Sequence, residues 1–145
     1  MVDIVNIGTL VAAVAATPAT VDAAGFAALS WLASVGDLVS WGKQGDTSAS
    51  IDVPLLSGRM VHRNGAVDGG LIGFEYQFTL ADAGQVILRA QSNSQTTVSI
   101  RETHTDGRIV YYHGVVCDVQ TREKTNSTTK GQTGSIRVNS AAVTV

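Results

Sequence analysis

The chain has a single cysteine, Cys117. No disulfide can form within it, so the framework of a small secreted domain finds no support. Cys117 follows Val115-Val116 on an expected strand and reads as a small buried hydrophobe, since a catalytic thiol needs a positioned histidine and a thiolate-favouring site. Charge is scarce as well. Only 15% of the 145 residues are Asp, Glu, Lys or Arg, against about a quarter in a typical soluble domain. Ten basic and twelve acidic residues leave a formal charge of −2. The lack of a basic excess argues against a protein that holds nucleic acid by neutralising phosphates. Uncharged Ser, Thr, Asn and Gln fill the surface instead. Such a surface suits either packing against protein or an ordinary neutral β domain.

A long apolar run is missing too. The stretch Leu10 to Ala16 is far shorter than the ~20 residues that span a bilayer. Asp3 precedes it and no Lys or Arg does, so it does not read as a signal peptide. The segment from Val2 to Ala19 is therefore expected to belong to the folded domain. Asn126-Ser127-Thr128 matches a glycosylation sequon, which carries little weight without a secretory signal.

Catalytic constellations are equally absent. His62, His104 and His113 form no pair at metal-ligand spacing on one element. The glutamates are scattered, and Asp68 and Asp106 belong to turns, so no acid/base pair of carboxylates suggests itself. No serine stands in a G-x-S-x-G elbow. Gly42-Lys43 lacks the flanking residues of a phosphate loop. Gly69-Gly70 with Gly73 precedes a strand where a dinucleotide fingerprint would open a helix. The expectation is a non-enzyme that uses no cofactor and no metal.

What the sequence does contain is strand signal, in a length that fits one domain over residues 1–145. From Leu71 to Leu80, Ile72, Phe74, Tyr76, Phe78 and Leu80 alternate with Gly73, Glu75, Gln77 and Thr79, the period of a half-buried strand. Asp68-Gly69-Gly70 marks the turn before it. Ile51-Asp52-Val53 alternates and meets Pro54, which suits a strand end or sheet edge. Gly58 to Asn64 continues as a strand. Phe26 to Ala33 is expected as strand, because Gly25 and Gly36 interrupt any long helix. One helix is expected over about residues 81–92. Asp82 caps it, Gln85 stands in capping-box position, Ala83, Val86, Ile87 and Ala90 recur at helical spacing, and Arg89 suits the last turn.

Asp106-Gly107 predicts a two-residue type I′ hairpin. That register puts Thr105 opposite Arg108, His104 opposite Ile109, Glu102 opposite Tyr111 and Ile100 opposite His113, with His104 and His113 on one face. In the last strand the apolar phase changes from Ile136 and Val138 to Ala141, Val143 and Val145, which predicts a bulge near Asn139-Ser140 or burial on both faces. Between Val119 and Ile136, Gln120 to Ser135 holds no apolar side chain. A structureless connection of that length is uncommon in a compact domain. Two strands leaving a core with a polar tip predict a projecting hairpin, and its expected partner is another copy of the chain. Lys43 to Ser50 is a second polar loop. The expected fold is mostly β, a β-sandwich or partial barrel with one flanking helix and a long polar hairpin.

Several segments carry a resemblance. They are Gly36 to Ser40, Leu55 to Arg59, Asn64 to Gly70, Asp82 to Gln85, Asp106 to Arg108 with Tyr111 to Gly114, the polar stretch, and Val138 to Ser140. In their order the chain resembles the tail tube (major tail) proteins of long-tailed phages and phage-like particles. The resemblance implies a β-sandwich flanked by a helix, and six copies in a ring whose inner strands line a barrel. Stacked rings would form a hollow tube that passes DNA from the capsid without binding it specifically. It also implies tape-measure, tail terminator and tail-tip partners and a place in the virion tail, after synthesis in the host cytoplasm.

Within that reading, Thr121, Arg122, Glu123, Lys124, Thr125, Asn126, Thr129 and Lys130 are candidates for contact between rings, with Lys43, Gln44 and Asp46 from the shorter loop. Alternatives are a neck, distal-tail or secretion-system tube subunit, or a carbohydrate-binding or adhesin module. A sugar site would need Trp31, Trp41 and Tyr112 clustered in the open.

Overall fold

The computed structural model describes residues 8–145; of the expected N-terminal segment, Val2 to Ile7 lie outside the described residues. The fold is mostly β. In chain order the elements are β1 (Leu10–Val14), α1 (Ala23–Ala27), β2 (Ser34–Val35), β3 (Leu38–Trp41), β4 (Thr47–Pro54), β5 (Met60–Asp68), β6 (Leu71–Gln77), α2 (Ala83–Ala90), β7 (Val98–Thr103), β8 (Ile109–Thr121), β9 (Gly131–Val138) and β10 (Val143–Thr144). One antiparallel sheet runs β2-β1-β7-β8-β9-β6-β3, with β10 continuing alongside β8. Its two outermost strands, β2 and β3, are consecutive in the chain and joined only by Gly36-Asp37. The sheet must therefore curl until its ends meet, and it forms a partial barrel.

Alternation along each strand fills the interior. Val11 and Ala13 from β1, Val98 and Ile100 from β7, Val110, Tyr112 and Val116 from β8, Ile136 from β9, and Ile72, Phe74 and Tyr76 from β6 point inward, and Leu88 of α2 joins them. The expected β6 face is therefore right for Ile72, Phe74 and Tyr76. It fails beyond Gln77, where Phe78 and Leu80 are 39% and 74% exposed. The chain leaves the sheet there because the turn into α2 takes over its backbone groups: the Gln85 amide donates to Gln77 O (2.9 Å) and accepts from Thr79 N (2.8 Å).

The helix cap is also the seam of the barrel. Asp82 Oδ1 accepts from Gln85 N (3.0 Å) while Oδ2 accepts from Gly36 N (3.1 Å). Gln85 Nε2 donates to Gly36 O (2.9 Å). Asp82 thus caps as expected, but the buried Gln85 side chain serves the β2–β3 link instead of closing a capping box. The buried stripe of α2 is Gly84, Gln85 and Leu88, not the stripe through Ala83, Val86 and Ala90. Glycine at 84 is required by close approach, since a Cβ there would lie 2.5 Å from the Ser34 backbone.

Three further expectations are corrected. Phe26 to Ala33 is not strand: Ala23–Ala27 is helical, capped by Asp22 Oδ1 accepting from Gly25 N (2.7 Å). Gly25 does not break this helix; a Cβ would come within 2.0 Å of Thr20 O, so the glycine serves packing. Phe26 then stacks on Tyr111 at 5.4 Å, outside the barrel, with Trp31 at 5.8 Å on the same ring. The β7–β8 turn is not type I′, because only Gly107 takes positive φ (90°). Gly107 N donates to His104 O and His104 N to Arg108 O, the three-residue loop that ends in a left-handed glycine. The register moves by one, pairing Glu102 with Val110 and Ile100 with Tyr112. The last strand is interrupted over residues 139–142, and β10 resumes on β8 with Val143 opposite Tyr111.

Losing Asp82 removes a cap and leaves the Gly36 amide without its acceptor. Asp82→Ala is expected to cost on the order of 2 kcal/mol in urea unfolding, and Asp82→Asn less than half of that. Equal loss in both variants would show that the seam does not depend on this acceptor.

Candidate assembly surfaces

The feature the sequence missed is a second projecting hairpin. Among the described residues β4 and β5 pair only with each other. Their register runs from Thr47↔Asp68 to Pro54↔Met60, interrupted between Ser48 and Ser50. Every residue of β4 is exposed, and in β5 only Val61 and Gly65 are half-buried. The loop at its apex is fixed by Leu55 N donating to Arg59 O (2.9 Å) and Gly58 N to Leu55 O (2.9 Å), with Gly58 at φ 85°. One face carries Ile51 and Val53 with their partners Arg63 and Val61; the other carries Asp52 opposite His62. His62 Nδ1 lies 2.7 Å from Asp52 Oδ1. First His62 and then Ser50 hold the Asp52 carboxyl below its ordinary range. Thr47 to Ser50, expected as loop, is strand, which leaves 42–46 as the connection. A hairpin of two strands is at best marginally stable in water, and both of its edges offer unpaired backbone groups.

The expected polar hairpin is present between β8 and β9, with residues 122–130 as its tip. The tip is tied to the body. Arg122 forms an ion pair with Glu75 of β6. Arg122 Nη1 and Gln77 Nε2 both donate to Thr129 Oγ1, at 2.9 and 3.0 Å. Phe78 N donates to Lys130 O (3.2 Å). Gly131 leaves room for the guanidinium, since a Cβ would lie 2.8 Å from Arg122 Nη2. Folded back in this way, the tip and Phe78 enclose a cavity of about 460 Å³.

The structure sorts the expected contact residues into separate places. Thr121, Arg122, Glu123, Lys124, Thr125, Thr129 and Lys130 share the cavity beside Phe78. Asn126 is exposed on the tip, outside that lining. Lys43 and Gln44 line a different cavity, and Asp46 a third beside Val67 and Val138. The two hairpins stand at opposite ends of β6: β4–β5 returns to the body just before Leu71, and the polar tip docks at Gln77 and Phe78. Seven strand residues separate them, about 20 Å.

Lys43 and Gln44 sit at the barrel mouth, around a cavity of about 880 Å³ with Glu102, His104 and Arg108. Trp41 Nε1 donates to the Tyr112 hydroxyl (2.6 Å) across the interior, and Glu102 lies near that hydroxyl. Burial, opposed by the nearby Arg108 charge, pushes the Glu102 carboxyl up to about 7. Burial, reinforced by Glu102, holds the Tyr112 phenol well above its ordinary value. Gln44 Oε1 and His104 Nε2 are buried here without a partner among the described residues. Glu102 shares the inward face of β7 with Val98 and Ile100, and the corrected turn sets it beside Val110 and Tyr112 instead of Tyr111. His104 lines this mouth, while His113 lies on the outer side against Phe26 at 6.3 Å, so the two do not share a face. Trp41 and Tyr112 are bonded inside and Trp31 packs outside, so the open aromatic cluster of a sugar site is not assembled.

Among the described residues no group of three or more His, Cys, Asp or Glu could hold a metal ion, and no helix is long and apolar enough to cross a membrane. No family model and no curated protein matches the chain.

Glu102 sets a pH dependence. Folded, it keeps its proton up to about pH 7; unfolded, it releases it near 4.5. The folded chain therefore binds the extra proton between those values, and stability falls as pH rises through that window. Urea unfolding at pH 5 and pH 8 should differ by on the order of 3 kcal/mol from this group, and Glu102→Gln should flatten the difference. An unchanged slope in that variant would contradict the assignment.

Proposed function

We propose that this chain is a structural subunit that builds a tube from copies of itself, of the kind formed by phage tail tube proteins. The observation that carries the reading is the β4–β5 hairpin, a sheet of two strands that exposes Ile51, Val53, Leu55, Leu56 and Met60. Among the described residues nothing covers it. A neighbouring copy removes the apolar area from water and gives the hairpin a surface to rest on. The partial barrel with its helix and the order of its turn segments agree with the resemblance drawn from the sequence. Rings of six copies, stacked axially, would make the tube.

The charge balance supports a conduit. With a net charge of −2, the walls would not grip DNA through its phosphates, and DNA would slide through. Tape-measure, terminator and tail-tip proteins would be the partners, and the virion tail the location. A sugar-binding reading is disfavoured by the interior placement of Trp41 and Tyr112.

Negative-stain microscopy of the concentrated full chain tests the reading. Rings or hollow tubes are expected, with a mass by light scattering that rises with concentration. A monomer at every concentration and ionic strength would overturn it.

A further inference from the structure

We propose that Asn64-Gly65, in the β4–β5 hairpin, is a self-modification site: Asn64 loses its side-chain ammonia to become aspartate or isoaspartate, and the change marks a chain whose hairpin no neighbour has covered. The modification stands on the hairpin alone; its link to coverage rests on the assembly reading above.

Among the described residues the sequence supplies the reactive pair once. Asn93, Asn126 and Asn139 each precede serine, and only Asn64 precedes glycine. A glycine nitrogen has no neighbouring side chain to shield it, and its backbone turns freely enough to approach the asparagine carboxamide. The fold gives a separate reason for that glycine. Between the pairs Ser48↔Val67 and Ser50↔Asn64, β4 has Ala49 alone while β5 has Gly65 and Ala66. This is a bulge, with one residue too many on the strand of Asn64. A Cβ on Gly65 would lie 3.2 Å from the Ile51 side chain and 3.3 Å from Ala49 O. The bulge therefore keeps a glycine behind Asn64, and it interrupts the ladder at the bond that must rotate.

The reaction needs only water. The Gly65 amide nitrogen, on losing its proton, attacks Asn64 Cγ. The new N–C bond forms as the Cγ–Nδ2 bond breaks, and ammonia leaves with the proton. Water then opens the cyclic imide at either carbonyl, giving aspartate from one and isoaspartate from the other. Nothing is oxidised or reduced. In a packed sheet the extended backbone holds that nitrogen away from Cγ, and the reaction waits for local opening. Here Asn64 and every residue of β4 are exposed, and among the described residues no further strand pairs with either arm. Opening such a hairpin costs little.

Both products damage the hairpin. Isoaspartate carries the backbone through the old side chain and adds one methylene, which moves Val67 and Asp68 off their partners Ser48 and Thr47. Aspartate keeps the backbone but sets a second carboxylate on the face that carries Asp52 and His62, where like charge weakens the pairing. A neighbour that covers the hairpin holds it closed, and a chain modified beforehand fits that neighbour poorly.

Ageing the dilute full chain in mildly alkaline buffer tests the site. Peptide-resolved mass spectrometry should find a gain of one mass unit at Asn64, and enzymatic methylation of isoaspartate should label the same peptide. The rate should exceed those of Asn93, Asn126 and Asn139 by at least about tenfold. It should lie within about tenfold of the rate in the same chain unfolded in urea, because the hairpin is only marginally stable. Missing either margin overturns the site. Aged wild type should lose assembly yield while the Asn64→Gln chain, whose longer side chain closes the ring poorly, keeps it, and assembled particles should hold less modified Asn64 than the free fraction. An equal decline in both chains, or equal modification in both fractions, overturns the link to coverage. If Asn64 converts while the fresh chain forms no particle at any concentration, the assembly reading falls and takes the link with it, and the site stands.

Discussion

A two-stranded sheet cannot hold its own shape in water for long, and this molecule devotes β4 and β5 to one. Among the described residues the hairpin's backbone hydrogen bonds are exposed to solvent, both outer edges are open, and its apolar side chains lack a core to enter. Such a segment gains stability only from a surface it meets. The rest of the fold can be understood as the rigid mount for that segment. The proposed assembly would account for the sparse charge as well, since a covered surface gains little from side chains that are costly to dehydrate.

The mount is stiff because its sheet has almost no free ends. The short β2–β3 link brings the two outer strands together, and the first turn of α2 holds them there through Asp82 and Gln85. Inside, the Trp41–Tyr112 bond spans the barrel. Buried polar groups of this kind are stabilising only when paired; among the described residues Gln44 Oε1 and His104 Nε2 lack a partner at the barrel mouth, as do Arg101 Nε and His113 Nδ1 on the outer side. Stability is thereby concentrated in the seam and the apolar interior, while the mouth remains sensitive to protonation through Glu102.

How much of this could be read in the sequence depended on whether burial or geometry decided the outcome. The alternation of Ile72, Phe74 and Tyr76 was legible because one face of β6 is buried and the other is not. Asp82 was legible because capping is local. The alternation continued past Gln77 in the sequence only by coincidence; the turn into α2 overrode it and left Phe78 and Leu80 outside. Gly25 read as a breaker because its tight contact with Thr20 is tertiary. The Asp-Gly turn gave a hairpin but not its loop length, and one residue of difference set Glu102 opposite Val110 instead of Tyr111. The two hairpins were the hardest. Polar composition cannot distinguish a free arm from one tied down by Arg122 and Glu75, which are 47 positions apart. Nor can alternation of Ile51 and Val53 tell a strand in the main sheet from one that has left it, because exposed and buried apolar residues follow the same period.

Hydrogen exchange at the backbone amides of Thr47–Asp68 tests the central claim most directly, since it compares one segment in two states of the same chain. In dilute monomer these amides should exchange far faster than those of β7 and β8, and in concentrated, assembled protein they should become protected to a comparable degree. Equal, strong protection of the hairpin in the monomer, unchanged on concentration, would show that it needs no neighbour and would contradict the account.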